Sequence, residues 1–181
     1  MPARDTDETH RAATPLELLF DLVSVIAIAA AAAGLHHAIA EGHALDGLFK
    51  FGGTFFAIWW AWINYTWFAS AYDNDDALFR ILTMVNMVGA LAMAAGIQPF
   101  FESLDLRLIV TGFVIMRLAM VAQWLRAACH DPSHRKTALY YASGITLAQV
   151  YWVGLLVGQS LLPETLFYAL FFLRANLELT V

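Results

Sequence analysis

The chain has 181 residues, of which 60% are hydrophobic and only 14% charged, with a net charge of −5. A mean hydropathy of +0.62 excludes an ordinary soluble domain, in which charged residues make up about 25%. The dispersed, weakly acidic charge excludes a nucleic-acid binder, which needs clustered Lys and Arg, and the single cysteine, Cys129, excludes an internal disulfide or a multi-cysteine metal site.

Residues 1–13 read as a polar tail of mixed charge. Thr14-Pro15 then marks a helix start, with threonine at the N-cap and proline at the first helical position. The first apolar helix is predicted from Leu16 to Ala40. It is longer than the apolar core of a cleaved signal and lacks a basic leader, so it is a retained span. A second helix is predicted over 45–70, and a third, after the acidic loop YDNDD, over 77–98, where Pro99 ends it. A fourth covers 106–128. The loop CHDPSHRK leads to a fifth over 137–158, and Pro163 opens a sixth that reaches Val181.

A bilayer span takes about 20 apolar residues, so the expected architecture is all-α: a polytopic bundle of about six transmembrane helices over 14–181, with the lipid bilayer as its first partner. Orientation follows the basic residues. With the N-terminus inside, the inner segments hold Arg4, Arg11, Arg80, Arg126, Arg135 and Lys136, and the outer segments hold Lys50 and Arg107. The same topology gathers unusual polar groups in the cytoplasmic leaflet. Glu17 and Asp21 lie one turn apart at the inner end of helix one, Asn64 and Tyr65 in the inner half of helix two, and Arg117, Gln123 and Arg126 along helix four.

Arg117 carries the most information. An arginine near mid-bilayer costs at least ~2.5 kcal/mol, so it should face the bundle and have a partner. Asp21 is the first candidate and Glu17 the second, since a guanidinium engages a carboxylate through two parallel hydrogen bonds. Such a pair either fixes packing or forms a functional site. The two carboxylates also suggest a proton relay through Asp21, whereas Glu17 in the first turn complements the helix dipole. Asp73 and its neighbours could attract a cation, but the loop lacks the glycine and distal glutamate of a calcium loop. Asp75 or Asp76 is better read as the cap of helix three.

His36 and His37 point about 100° apart on a helix, and Pro132 breaks the spacing of Cys129, His130 and His134, so no metal site and no cofactor are expected. Helix two is dense in aromatics, from Phe55 and Phe56 through Trp59, Trp60, Trp62 and Tyr65 to Trp67 and Phe68. They fit core packing better than a slot for a flat ligand. The small residues of 27–34, and Gly154 with Gly158, are expected to let helices approach closely. No phosphate loop, nucleophile elbow or zinc-protease motif is present, so no enzyme is expected.

Three segments carry a resemblance: TPLELLFDLVSVIAIA at 14–29, WWAWINYTWFASAYDNDD at 59–76 and VIMRLAMVAQWLRAACHDP at 114–132. In order and spacing they resemble the bacterial low temperature requirement protein A family. The resemblance implies a multi-pass protein of the bacterial cytoplasmic membrane and no particular catalytic activity. It also places Glu17, Asp21, Asn64, Tyr65, Asp73, Asp76, Arg117, Gln123 and Arg126 within the family's motifs. Ser24 departs from the larger aromatic usual there. Family members are usually about twice this length, so the chain looks like an N-terminal half or a short member.

Two functions follow as expectations. One is permeation of an ion or small solute past an inner-leaflet site made of those nine residues. The other is a structural or partner-binding membrane protein of cold or stress adaptation, whose partner is a second copy or the missing C-terminal half.

Overall fold

The computed structural model describes residues 14–72 and 76–158, together with 163, 166 and 170. Among these are five helices and no strand: α1 (Pro15–Ala40), α2 (Ala44–Ala71), α3 (Ala77–Ser103), α4 (Arg107–His130) and α5 (Arg135–Gly158). The expected all-α class holds. The tail and Asp73 lie outside the described residues, as does almost all of the sixth predicted segment.

The caps show why the helices begin where they do. Thr14 Oγ1 accepts from the Glu17 N–H at 3.2 Å, and the Glu17 carboxylate accepts from the Thr14 N–H at 3.3 Å. This reciprocal box, with Pro15 behind it, satisfies donors that a helix start leaves orphaned. Asp76 does the same for α3 by accepting from the Phe79 N–H at 2.8 Å.

The expected stop at Pro99 is corrected, because α3 continues through it to Ser103. Proline's φ suits a helix, and near a helix end its missing N–H forfeits a single bond. The last turn is then held from several sides. Ser103 Oγ donates to the Pro99 carbonyl at 2.9 Å, and Lys50 Nζ reaches from α2 to the Phe101 carbonyl at 3.0 Å. Leu104, at φ 57°, closes the helix in the left-handed region and donates to the Phe100 carbonyl at 3.0 Å.

Many large aliphatic side chains face outward, and the interior mixes small and polar residues with large ones such as Phe20, Phe68, Met93 and Met120. On α1, Leu18, Leu22, Val25 and Ile26 face outward while Ser24, Ala27 and Ala31 are buried. On α3, Ile81, Met84 and Val88 are exposed, and Thr83, Asn86, Gly89 and Ala90 are buried. A helix in water would keep such aliphatic residues off its surface; in lipid, where tails are as apolar as leucine, they can stay outside while small and polar residues join the packed interior. Among the described residues three helices, α1, α3 and α4, are long and apolar enough to cross a membrane. With 28 residues, α2 has the length, but its glycines and indoles dilute its hydropathy.

The most extensive packing joins α3 to α4, and α1 packs on both α2 and α3. At the α3–α4 seam the backbones touch. A Cβ on Gly89 would lie 2.7 Å from the Gly112 carbonyl oxygen, and one on Gly112 would lie 2.5 Å from the Met93 nitrogen. Gly96 abuts the Ile109 nitrogen at 2.7 Å in the same way. The small stripe of α1 is used as expected, with Ala27 and Ala31 fully buried and Gly34 under the Phe101 ring. At Gly154 a Cβ would meet nothing within 4 Å among the described residues, and most of the segment that follows Gly158 lies outside them.

The chain divides into two compact units between Thr146 and Leu147. In the first, Ala138 and Ala142 of α5 join the core of α1–α4, and Tyr141 stacks on Trp124 with centroids 4.7 Å apart. In the second, Tyr151 Oη donates to the Leu170 carbonyl at 3.0 Å.

Candidate functional site

Three helices bring polar side chains together inside the apolar bundle. Tyr65 of α2, Thr83 of α3 and Gln123 of α4 are at most 1% exposed. Tyr65 Oη and Gln123 Nε2 both donate to Thr83 Oγ1, each at 3.4 Å. The Tyr65 ring is fixed by Phe20 of α1, with centroids 4.1 Å apart. One turn beyond Thr83, on the same face, Asn86 is also 1% exposed. Among the described residues neither end of its amide has a hydrogen-bond partner, and neither does Gln123 Oε1. Each unmatched buried amide atom costs about 1–3 kcal/mol, so the cluster concentrates a sizeable cost at one place.

Arg117 is buried on α4, and its guanidinium carbon lies 4.5 Å from the centroid of the Phe113 ring, a cation–π contact within its own helix. Asp21 makes a different contact from the one expected: Trp62 Nε1 of α2 donates to its Oδ1 at 2.6 Å. The helix contacts explain this. α1 packs broadly on α2 and α3, whereas α4 packs on α3, so an indole on α2 is the natural neighbour of Asp21. Glu17 is engaged in its capping box, and Asn64 Nδ2 donates to the Trp60 carbonyl of its own helix at 2.6 Å.

The remaining candidates stand at the ends of the helices. Arg126 of α4 grips Asp76 with a two-pronged fork: Nη1 donates to Oδ1 at 2.9 Å and Nη2 to Oδ2. Those side-chain bonds are the main reason that the Asp76 carboxyl is lowered to about 2. Nearby, Asp131 ties α2 to the α4–α5 connection. It accepts from Tyr72 Oη at 3.2 Å and from Ser133 Oγ, and its Oδ2 lies 2.8 Å from His134 Nδ1. Bonds from Ser133 and then His134 hold its carboxyl well below the usual carboxylate range. Burial, reinforced by Asp131, raises the Tyr72 phenol above its ordinary value.

These placements meet an independent finding. The bacterial low temperature requirement A protein family, LtrA, matches residues 12–181. The chain belongs to the LtrA family. It is also 27% identical over 150 residues to Uncharacterized protein RA0937 of Rhizobium meliloti (strain 1021). That match covers 82% of this chain and 35% of the relative, so the chain spans about a third of the curated relative it matches. No solved structure matches. LtrA membership together with three membrane-length apolar helices points to a membrane protein.

Within this LtrA chain the structure joins Tyr65 to Gln123 through Thr83, and Asp76 to Arg126, as two separate groups. Reading the sequence missed Thr83, Asn86, Trp62, Tyr72 and Asp131. A signal existed for the first two. Thr83 and Asn86 stand three apart in an otherwise apolar span, the spacing of one helical face. No local pattern marks Trp62 as the partner of Asp21.

Proposed function

We propose that the chain is a multi-pass protein of the bacterial cytoplasmic membrane, N-terminus inside, that passes an ion or small solute without covalent chemistry. The observation that carries this reading is the burial of Arg117, Gln123, Thr83 and Tyr65 inside a bundle whose outer surface is apolar. Charged and polar groups within a span are expensive, and pathways are where they are typically retained. In this reading Asp21 is the titratable or ion-binding group and Arg117 the counter-charge. Asn64, Tyr65 and Gln123 line the route, while Glu17, Asp73, Asp76 and Arg126 stand at its inner mouth.

Flux of monovalent ions, protons and small neutral solutes into liposomes holding this chain tests the reading, with Asp21→Asn and Arg117→Gln as comparisons. Flux in the parent that both folded variants lose supports it. Absence of flux for every solute, here and in a longer LtrA relative, overturns it.

A second reading is a structural or partner-binding role in cold or stress adaptation, with a second copy or the C-terminal half as partner. The Asp21–Trp62 and Asp76–Arg126 contacts favour it, because each ties one helix to another. There the same substitutions would lower stability in proportion to any loss of function.

A further inference from the structure

The amide of Asn86 and the Oε1 of Gln123, both without a partner among the described residues, point to an occupant of definite chemistry. The bond between Thr83 and Gln123 sets those two residues level across the α3–α4 seam, and the contact of Gly89 with Met116 and Gly112 sets the next level. In that antiparallel register Asn86 falls opposite the turn that contains Met120, which lies three residues before Gln123 on the same face of α4. Along this short stretch the seam presents two carbonyl oxygens, Asn86 Oδ1 and Gln123 Oε1, and one amide nitrogen, Asn86 Nδ2, all buried and unmatched. Flipping the Gln123 amide exchanges which of its ends is unmatched and, with both ends of Asn86 unmatched, still leaves donor and acceptor together.

A bare cation would satisfy the oxygens and leave the amide nitrogen stranded. An anion would do the reverse and face two carbonyl dipoles. A small neutral molecule that both donates and accepts satisfies all three, and water is the smallest. We propose that one or two bound water molecules bridge α3 and α4 between Asn86 and Gln123, forming an internal hydration site in the membrane-embedded seam. The site stands whether or not the bundle conducts, because it follows from matching buried amides and not from a pathway.

X-ray hydroxyl-radical labelling of the chain in phosphatidylcholine vesicles prepared in 18O water tests this. A bound water produces its radical in place, so it marks sulfur atoms that bulk water cannot reach. Met120 and Met87, at 1% and 6% exposure, are the reporters. The expected result is 18O on Met120 or Met87 in the parent chain, falling at least about fivefold in the near-isosteric Asn86→Leu. Thermal unfolding separates the alternatives further: an unoccupied amide makes Asn86→Leu more stable than the parent, whereas a hydrated one makes it less stable. Should that variant not fold, Gln123→Met gives the same loss of label. Parent protein with neither methionine labelled, or labelling unchanged in the variants, overturns the proposal.

Discussion

The indole N–H of Trp62 donates to the Asp21 carboxylate at 2.6 Å, so a charged group on α1 is held by an aromatic on α2. A hydrogen bond to a charged group contributes about 1.5–3 kcal/mol. Trp62→Phe keeps a ring in place and removes the donor, and it should cost about 2 kcal/mol. Asp21→Ala, which removes the acceptor, should cost at least as much, and the double variant should cost clearly less than the sum, with a coupling of about 1–2 kcal/mol. Denaturant unfolding of the four proteins in micelles measures it. Strict additivity would show that the bond contributes nothing to stability.

The fork between Arg126 and Asp76 predicts a specific acid sensitivity. The Asp76 carboxyl titrates near 2 in the folded chain, below the ordinary 3.8. A lowered carboxyl stabilises the fold above its unfolded value, and that contribution disappears as pH falls through the folded value. Stability should therefore fall between about pH 4 and pH 2, and Asp76→Asn should flatten that part of the curve. The effect is modest because the Asp76 side chain is 44% exposed. Arg126→Lys, which keeps the charge and loses the fork, should weaken the dependence. Thermal unfolding at stepped pH reads both.

Tyr65 separates ring from hydroxyl. Its bond to Thr83 is long, at 3.4 Å, while its ring is buried against Phe20. Tyr65→Ala should cost about 3–5 kcal/mol, and Tyr65→Phe, which keeps the ring against Phe20, should cost clearly less. Equal costs would place the stabilisation in the hydroxyl.

Glycines on the seam and on the surface should respond with opposite signs. Gly112→Ala drives a methyl into the Gly89 and Met93 backbones, so α3 and α4 must part, and a loss of several kcal/mol follows. Gly52→Ala meets nothing within 4 Å and gains helix propensity of about 1 kcal/mol. Unfolding midpoints of the two variants should fall on opposite sides of the parent.

Helix positions were legible because long apolar runs broken by Pro15, the YDNDD loop and Pro132 carry their own punctuation. Thr14 and Asp76 could be read as caps because capping is local in sequence. Pro99 misled because the bonds that keep the helix going come partly from Lys50, 51 positions away from Phe101. Arg117 and Gln123 stood out through the cost of burying them. Phe113, four residues before Arg117 on the same helix, and the three-residue spacing of Thr83 and Asn86 were open to local reading, but that Thr83 meets Gln123 follows only from the register of α3 on α4. The partner of Asp21 was unreadable for the same reason: which helix lies beside α1 is a tertiary fact.

The touching backbones at Gly89 and Gly112 also bear on how this bundle can move. Two helices interlocked at main-chain distance cannot roll or slide past each other without clash, so α3 and α4 form a stiff hairpin. Shear displacement is then left to α1 and α2, which meet that hairpin through small residues, rings and a few hydrogen bonds such as Tyr65–Thr83 and Lys50–Phe101. Relative motion in this part of the protein is therefore a rocking of the first helical pair against the second.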